Sequence, residues 1–388
     1  MNVCVVAEYY PRRRDPVLGI WAHRQALAAR DAGADVKVLV LERPIPPAAT
    51  LRRPWRLPRA LRGIARQPQS DTRGGVDVRY VRFTAGPRER SYASWHENAA
   101  GPLEKALTQL HADWPLDLIH AHYALPAGGA ALPFAEEQGL PLVVSVHGGD
   151  VLGPLLQAPE ARATVTSVLG AAAEVVCNSN ATLERVFELV GSEERLRVVH
   201  LGASAPEEEI AKHPTPTVAT LAHVVRRKRH FDVAAAVTEL PEVNWHVIGD
   251  GPERAAVAER VAQLGIGDRT LFTGQLAPDA ALRELAACHV MALPSVDEAF
   301  GVAYVEALAC GVPAIGCRGE GGPEEIAAAG PGMLLVPPRD PSALAGGIRA
   351  ALADPDLPRL ARRTATDCFS WARCGRETVA AYRDALAG

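Results

Sequence analysis

The chain has 388 residues, enough for two domains of ordinary size. Hydrophobic residues make up 48% and charged residues 22%, a globular composition that excludes a disordered or fibrous chain. The net charge of −4 leaves no overall basic field, which argues against nucleic acid as a partner.

No apolar run approaches the ~20 residues that a membrane-spanning helix needs. The first ten residues, MNVCVVAEYY, read as a strand rather than a signal peptide, so a cytoplasmic protein is expected. Apolar strand patterns follow at Asn2–Ala7, Asp35–Leu41, Val76–Phe83, Asp117–His122, Pro141–His147, Glu174–Ser179 and Arg195–Gly202. Helical Ala/Leu/Arg segments such as Trp21–Gly33 separate most of them. Near-continuous apolar strands alternating with helices predict parallel sheets covered on both faces.

The polar, Pro-rich stretch 202–216 reads as a linker. A second series follows at Thr217–Val224, Val243–Gly249, Arg269–Gly274, His289–Pro294, Val312–Cys317 and Gly332–Pro338. The expected organisation is α/β, with two doubly wound Rossmann-like domains facing across a cleft. One spans 1–201 and the other 217–370, and a terminal helix covers about 371–388. Ligands of such sheets sit at the carboxyl ends of the strands.

Residues 52–90 hold eleven arginines, among them Arg52, Arg53, Arg56, Arg59, Arg62 and Arg66, interleaved with Trp55, Leu57, Leu61 and Ile64. Two readings stand: an arm that touches anionic lipid or a phosphorylated acceptor, or a solvated loop. Pro54 and Pro58 argue against one clean amphipathic helix.

Several chemistries drop out by inspection. The lysines, Lys37, Lys105, Lys212 and Lys228, never precede Ser or Thr, so a Walker A loop is absent. The seven cysteines form no C-x-x-C pair, which suits reduced thiols better than a metal site. Gly249-Asp250-Gly251 lacks the third glycine of a dinucleotide fingerprint, and Gly202-Ala203-Ser204 lacks the closing glycine of a nucleophile elbow. Asp354-Pro355-Asp356 is formally D-x-D but reads as helix capping.

The most informative stretch runs from Pro294 to Gly316. A strand enters a loop that opens a helix near Gly301, with Asp297 and Glu298 ahead of it. A helix start offers free backbone N–H groups to phosphate or sugar oxygens. Glu298 and Glu306 would stand roughly 12 Å apart along an ideal helix. That is too far for a glycosidase dyad on one bond and suited to gripping two ends of an extended ligand.

The spacing Glu298-x7-Glu306 resembles the Glu-x7-Glu signature of retaining GT-B glycosyltransferases (family 4, group 1). The segments Val247–Ile266, Leu271–Leu276, Gly319–Ile326, Asp117–Leu132 and Ser145–Val151 resemble other parts of that family, in the same order. The resemblance implies a hexosyltransferase that moves a hexose or amino-hexose from a UDP- or GDP-linked sugar to an acceptor hydroxyl, by a front-face retaining mechanism without a metal or other cofactor. The catalytic residues it implies are His147, Glu298 and Lys228. It places Gly19, His223, Arg227, Phe300, Gly301, Val302 and Glu306 on the donor and His122, Gly148 and Asp150 on the acceptor side. The family has an arginine where His223 stands, and Arg226, Arg227 and Arg229 are the candidates to replace it.

The partners implied are a nucleotide sugar and an acceptor glycan, lipid-linked sugar or small molecule, with peripheral membrane contact through residues 52–90 as one option. That option would place the protein at the inner face of the membrane. A sugar-nucleotide epimerase on the same fold and a non-catalytic nucleotide-sugar binder are the rival readings. His120 and His122 alternate on one strand and read as core or acceptor-cleft residues, because no third metal ligand lies at useful spacing.

Overall fold

The computed structural model describes residues 1–12, 15–45 and 54–388; Arg52 and Arg53 of the basic run lie outside the described residues. The chain divides into two compact units. The first comprises Met1–Asn178, Thr182–Val199 and Gly375–Gly388, the second Ser179–Ala181 and His200–Cys374.

The first unit carries strands β1 (Asn2–Ala7), β2 (Asp35–Glu42), β3 (Ser70–Arg73), β4 (Val76–Arg82), β5 (Leu118–His122), β6 (Leu142–Val146), β7 (Glu174–Cys177) and β8 (Leu196–Val198). They form one sheet in the order β3-β4-β2-β1-β5-β6-β7-β8. Every residue of β5 and β6 is buried, as a parallel sheet clad on both faces requires. Its helices are α1 (Ile20–Asp31), α2 (Leu57–Ala65), α3 (Trp95–Asp113), α4 (Gly129–Gln138), α5 (Pro159–Ala171) and α6, which starts at Asn180 and ends at Val190. Leu103 and Leu107 of α3 and Phe134 of α4 join Ile119 and Val144 of the sheet in its core.

Two details differ from the expected pattern. Strand β3 runs antiparallel to β4 and has no apolar run to announce it. Its signal is Gly74-Gly75, both at positive φ, which closes a two-residue hairpin. Helix α2 forms despite its prolines: Pro54 opens a short 3₁₀ turn, and Pro58 sits in the first turn of the helix, where its missing N–H costs nothing.

The second unit carries β9 (Thr217–Leu221), β10 (Asn244–Ile248), β11 (Thr270–Gly274), β12 (Val290–Ala292), β13 (Ala314–Cys317) and β14 (Met333–Val336). Their order is β11-β10-β9-β12-β13-β14, all parallel. This is the doubly wound order of a dinucleotide-type sheet, with its switch point between β9 and β12. The helices are α7 (His230–Thr238), α8 (Arg254–Gln263), α9 (Pro278–Ala287), α10 (Val302–Ala309), α11 (Gly321–Ala329), α12 (Pro341–Ala353) and α13 (Leu357–Cys368), and α14 (Trp371–Ala387) begins here. Trp245, Val247, Ile315, Leu344 and Ile348 fill its core.

The stretch 202–216 belongs to the second unit rather than standing apart as a linker. Ala203 bridges to Ser370, the Lys212 ammonium donates to the carbonyls of Ala286 and Cys288, and the His213 amide donates to Ala287 O. From Gly375 onward α14 is part of the first unit. There the Tyr382 hydroxyl meets His120 Nδ1 at 2.7 Å, and Gln25 Nε2 donates to Thr378 Oγ1. A side chain at Gly375 would strike the carbonyl of Ala28. Among the described residues, no helix is long and apolar enough to cross a membrane.

Candidate active site

At the switch point of the second unit, the loops after β9 and β12 meet. The backbone N–H of Val296 donates to the carbonyl of Arg227 at 2.9 Å. Across this junction Lys228 Nζ pairs directly with Glu298 Oε2, and Arg227 Nη1 lies 3.7 Å from the same oxygen. Ser295 Oγ donates to Glu298 Oε2 at 2.9 Å, and the Tyr304 hydroxyl lies 2.9 Å from Ser295 Oγ. The Glu298 backbone N–H donates to Glu320 Oε2.

Burial alone would push the Glu298 carboxyl up, but Lys228 and Arg227 hold it below the ordinary carboxylate range. Burial pulls Lys228 down, against the pull of Glu298. We take the pair as ionised, because each charge faces its partner at contact distance. Burial raises the Glu320 carboxyl, while the N–H groups of Glu298 and Asp297 act against that rise and the charges of Asp297 and Glu298 add to it.

The backbone here is held in unusual shapes. Asp297 and Gly301 both have positive φ, and Gly301 caps α10. A Cβ at Gly301 would come within 2.3 Å of the Tyr304 ring. Phe300 is buried and stacks on His200, so its backbone rather than its ring is available to a ligand. Gly322 presses against Phe300 O, where a side chain would not fit.

The helix opens at Val302, so Glu298 lies in the preceding loop and only Glu306 is helical. The ideal-helix spacing expected for this pair therefore does not apply. Glu306 is half-buried on α10. His223 is exposed on the loop after β9. Of the three arginines considered as its replacement, Arg229 is committed to Asp232 by two hydrogen bonds of 2.9 Å, Arg226 is exposed, and Arg227 reaches Glu298.

The first unit gathers its candidates at the carboxyl ends of β1, β5 and β6. Gly19, at φ 64, caps α1 beneath Tyr9, whose carbonyl a Cβ would strike at 2.2 Å. His122 Nδ1 lies 2.9 Å from His147 Nε2 with the rings nearly parallel. Trp21 and Tyr123 also flank His147. Burial drives His147 down to about 3 and His122 well below the ordinary imidazole range, so both are neutral at pH 7. His147 Nδ1 and His122 Nε2 are buried without a partner. That is unused hydrogen-bonding capacity.

Asp150 braces this corner. Its carboxylate accepts from the backbone N–H of Ala124 and of His147, both at 3.2 Å, and burial raises it to about 6. Gly148, at positive φ, turns the chain between them. His120 is spent internally on Tyr382 and Ser145.

Some residues escaped the sequence reading. Ser295, Tyr304 and Glu320 surround Glu298. His230 is buried beyond Lys228 with both ring nitrogens unpartnered, and burial together with the Lys228 and His223 charges lowers it to about 4. In the first unit, Glu8 takes Arg88 at 2.6 Å and the Tyr92 hydroxyl at 2.8 Å. A lone Ser, Tyr or Glu carries no spacing signal, so only the fold could reveal these. One group of described residues has metal-ligand geometry: His213, His246, Glu284 and Cys288.

Comparison with known proteins fits this architecture. Residues 18–202 match the family model "Glycosyl transferase 4-like domain", and residues 204–367 match "Glycosyl transferases group 1". The chain is 28% identical over 363 residues to TuaC of Bacillus subtilis, a glycosyltransferase named for teichuronic acid biosynthesis, covering 90% of this chain and 88% of that one. A sucrose-phosphate synthase from Thermosynechococcus elongatus superposes with a TM-score of 0.75 at 21% identity, over 100% of this chain and 99% of that one. HepE of Anabaena, solved with UDP and glucose, superposes with a TM-score of 0.72 at 19% identity, over 99% of both chains. The chain is a nucleotide-sugar-binding enzyme of the GT-B fold and belongs to the group 1 glycosyltransferases.

Proposed function

We propose that the protein is a retaining, metal-independent transferase of the Glu-x7-Glu type. It moves a hexose or amino-hexose from a UDP- or GDP-linked donor to an acceptor hydroxyl. The observation that carries this reading is the buried Lys228–Glu298 pair, flanked by Arg227, at the switch point in front of α10. On donor binding, Lys228 and Arg227 turn to the diphosphate, and Glu298 is released to accept hydrogen bonds from sugar hydroxyls. The amides of Phe300, Gly301 and Val302 add the positive end of α10, and Glu306 takes the ribose hydroxyls. His223 stands at the edge of the diphosphate site.

Chemistry follows from charge. As the C1–O bond to phosphate breaks, negative charge grows on the diphosphate, and fixed cations and amides lower that barrier without a metal. The acceptor oxygen bonds C1 from the same face, and its proton passes to the departing phosphate oxygen. The resemblance assigns His147, neutral and with Nδ1 unpartnered, to a donor hydroxyl and Gly19 to the diphosphate and acceptor. His122, Gly148 and Asp150 shape the acceptor side.

UDP is the first base to test, because HepE was solved with UDP and glucose. A thermal-shift screen of UDP, GDP, ADP and dTDP, each with and without sugar, should show stabilisation by one or two bases in EDTA. NMR of the product should show the donor's own anomeric configuration. Stabilisation only with added divalent metal, or an inverted product, would overturn the reading. Conversion of the donor with no acceptor present would favour an epimerase.

The acceptor is a glycan, a lipid-linked sugar or a small molecule. The basic segment favours an acceptor presented at the cytoplasmic face of an anionic membrane. Helix α2 buries none of its residues, and Trp55 is 73% exposed and Leu61 50% exposed. Leu57 and Leu61 form an apolar stripe beside Arg59, Arg62 and Arg66. Flotation with phosphatidylglycerol vesicles at low salt should carry the chain upward and lose it at high salt. No flotation at low salt would contradict the membrane contact.

A further inference from the structure

We propose a structural zinc site formed by His213, His246, Glu284 and Cys288, where α9 covers β10 and the chain enters β9 and β12. Three separate segments supply the four residues: the stretch before β9, β10, and α9 with its C-terminal cap. His246 is the middle residue of β10, and its neighbours Trp245 and Val247 point into the core on the opposite face. Glu284 and Cys288 are four apart on α9 and at its end, so they share one side of that helix. His213 is pinned there by main chain, through its own N–H to Ala287 O and through the neighbouring Lys212 to Ala286 O and Cys288 O.

The donor atoms already converge. Glu284 Oε1 lies 2.5 Å from His246 Nδ1 and 3.3 Å from His213 Nε2. The imidazole rings are 4.6 Å apart. Every donor atom in the group lies within 4.8 Å of the others. Tetrahedral zinc, with bonds of about 2.0–2.3 Å, sets its ligand atoms roughly 3.3–3.8 Å apart, so modest side-chain rotation closes the site.

The donor chemistry suits zinc. Two imidazoles, a carboxylate and a thiolate are all ligands this borderline ion accepts, and the two anions balance its charge. The site is reachable, because the two histidines and Glu284 are partly exposed while Cys288 is buried. A cysteine binds zinc as its thiolate, so binding must expel the thiol proton and tighten as pH rises. The Lys212 ammonium is held beside the cluster by two carbonyls.

The ion would act as a clamp joining residues 212–213, β10 and α9. It takes no part in transfer, since the loops proposed to hold the donor follow the carboxyl ends of β9 and β12, whereas His213 and Cys288 precede the amino ends of the same strands. Its failure would leave the functional reading intact.

Cobalt(II) is the probe, added under reducing conditions to untagged protein stripped with EDTA. One equivalent should bind with tetrahedral d–d bands and a thiolate-to-cobalt charge-transfer band, and zinc should displace it. Cys288→Ser should lose the charge-transfer band, and His246→Gln should weaken binding at least tenfold. Glu284→Gln and His213→Gln, at partly exposed positions, cover the case in which the Cys288 variant fails to fold. Zinc should raise the Tm of the wild type and leave those two variants unmoved. Absence of a stoichiometric cobalt spectrum, or a spectrum identical in all variants, would show an ordinary hydrogen-bonded cluster and overturn the proposal.

Discussion

Glu306 and His147 have separable duties in this account. If Glu306 holds the ribose, Glu306→Ala weakens nucleotide affinity about tenfold or more by calorimetry, while the protein stays folded. If His147 steers the sugar, His147→Ala lowers kcat about a hundredfold with nucleotide affinity little changed. Small, equal effects from both would break the assignment. Lys228→Met should cost more than either, because it removes the nearer of the two cations proposed for the diphosphate and leaves buried Glu298 with only the more distant Arg227 as a charge partner. His223→Arg should tighten UDP binding severalfold, since that exposed position has room for a second cation. Unchanged affinity would place it away from the phosphates.

Elements explain what could and could not be read from residues alone. Thirteen of the fourteen described strands announce themselves as apolar runs; a strand clad on both faces needs such a run, and even the half-covered edge strands β8 and β11 carry a short one. Strand β3 does not, because SDTR is a polar edge, and only Gly74-Gly75 marks it. The loop proposed to hold the donor was legible through its Gly, Glu and helix start. The contact that gives it meaning, Lys228 with Glu298, spans seventy residues and emerges only from the adjacency of β9 and β12. The four candidate metal ligands escaped for the same reason, since their spacing matches no sequence pattern and only β10 and α9 bring them together. Packing makes one sharp claim at this scale. Gly301→Ala meets both a positive φ and the Tyr304 ring, so it should destabilise by about 1–3 kcal/mol in urea unfolding and impair turnover. Gly170→Ala, in α5 with open space around it, should be neutral or slightly stabilising. Equal effects from the two would refute the strained-cap argument.

The whole molecule carries a pH signature. Burial lowers His120 and His147 to about 3 and His23 and His230 to about 4, from an unfolded value of 6.5. Between those limits the unfolded chain binds more protons, so stability is full above pH 6.5 and falls as the solution is acidified toward 4. Asp150 runs the other way: its carboxyl is raised from 3.8 to about 6, so its contribution to stability grows on acidification through that window. Glu174 and Glu320 are raised by burial as well, but these carboxyls are outweighed by the four histidines together with His122, also lowered, and Tm should fall from pH 7 to pH 4.5. A flat or rising Tm would contradict neutral burial of the histidines.

The central claim concerns where the leaving group sits, and a crystal structure with UDP tests it most directly. The account predicts the pyrophosphate against Lys228, Arg227 and the first amides of α10, the ribose on Glu306, and the Lys228–Glu298 pair opened. Density for UDP at any other place on the second unit, with that pair intact, would contradict it.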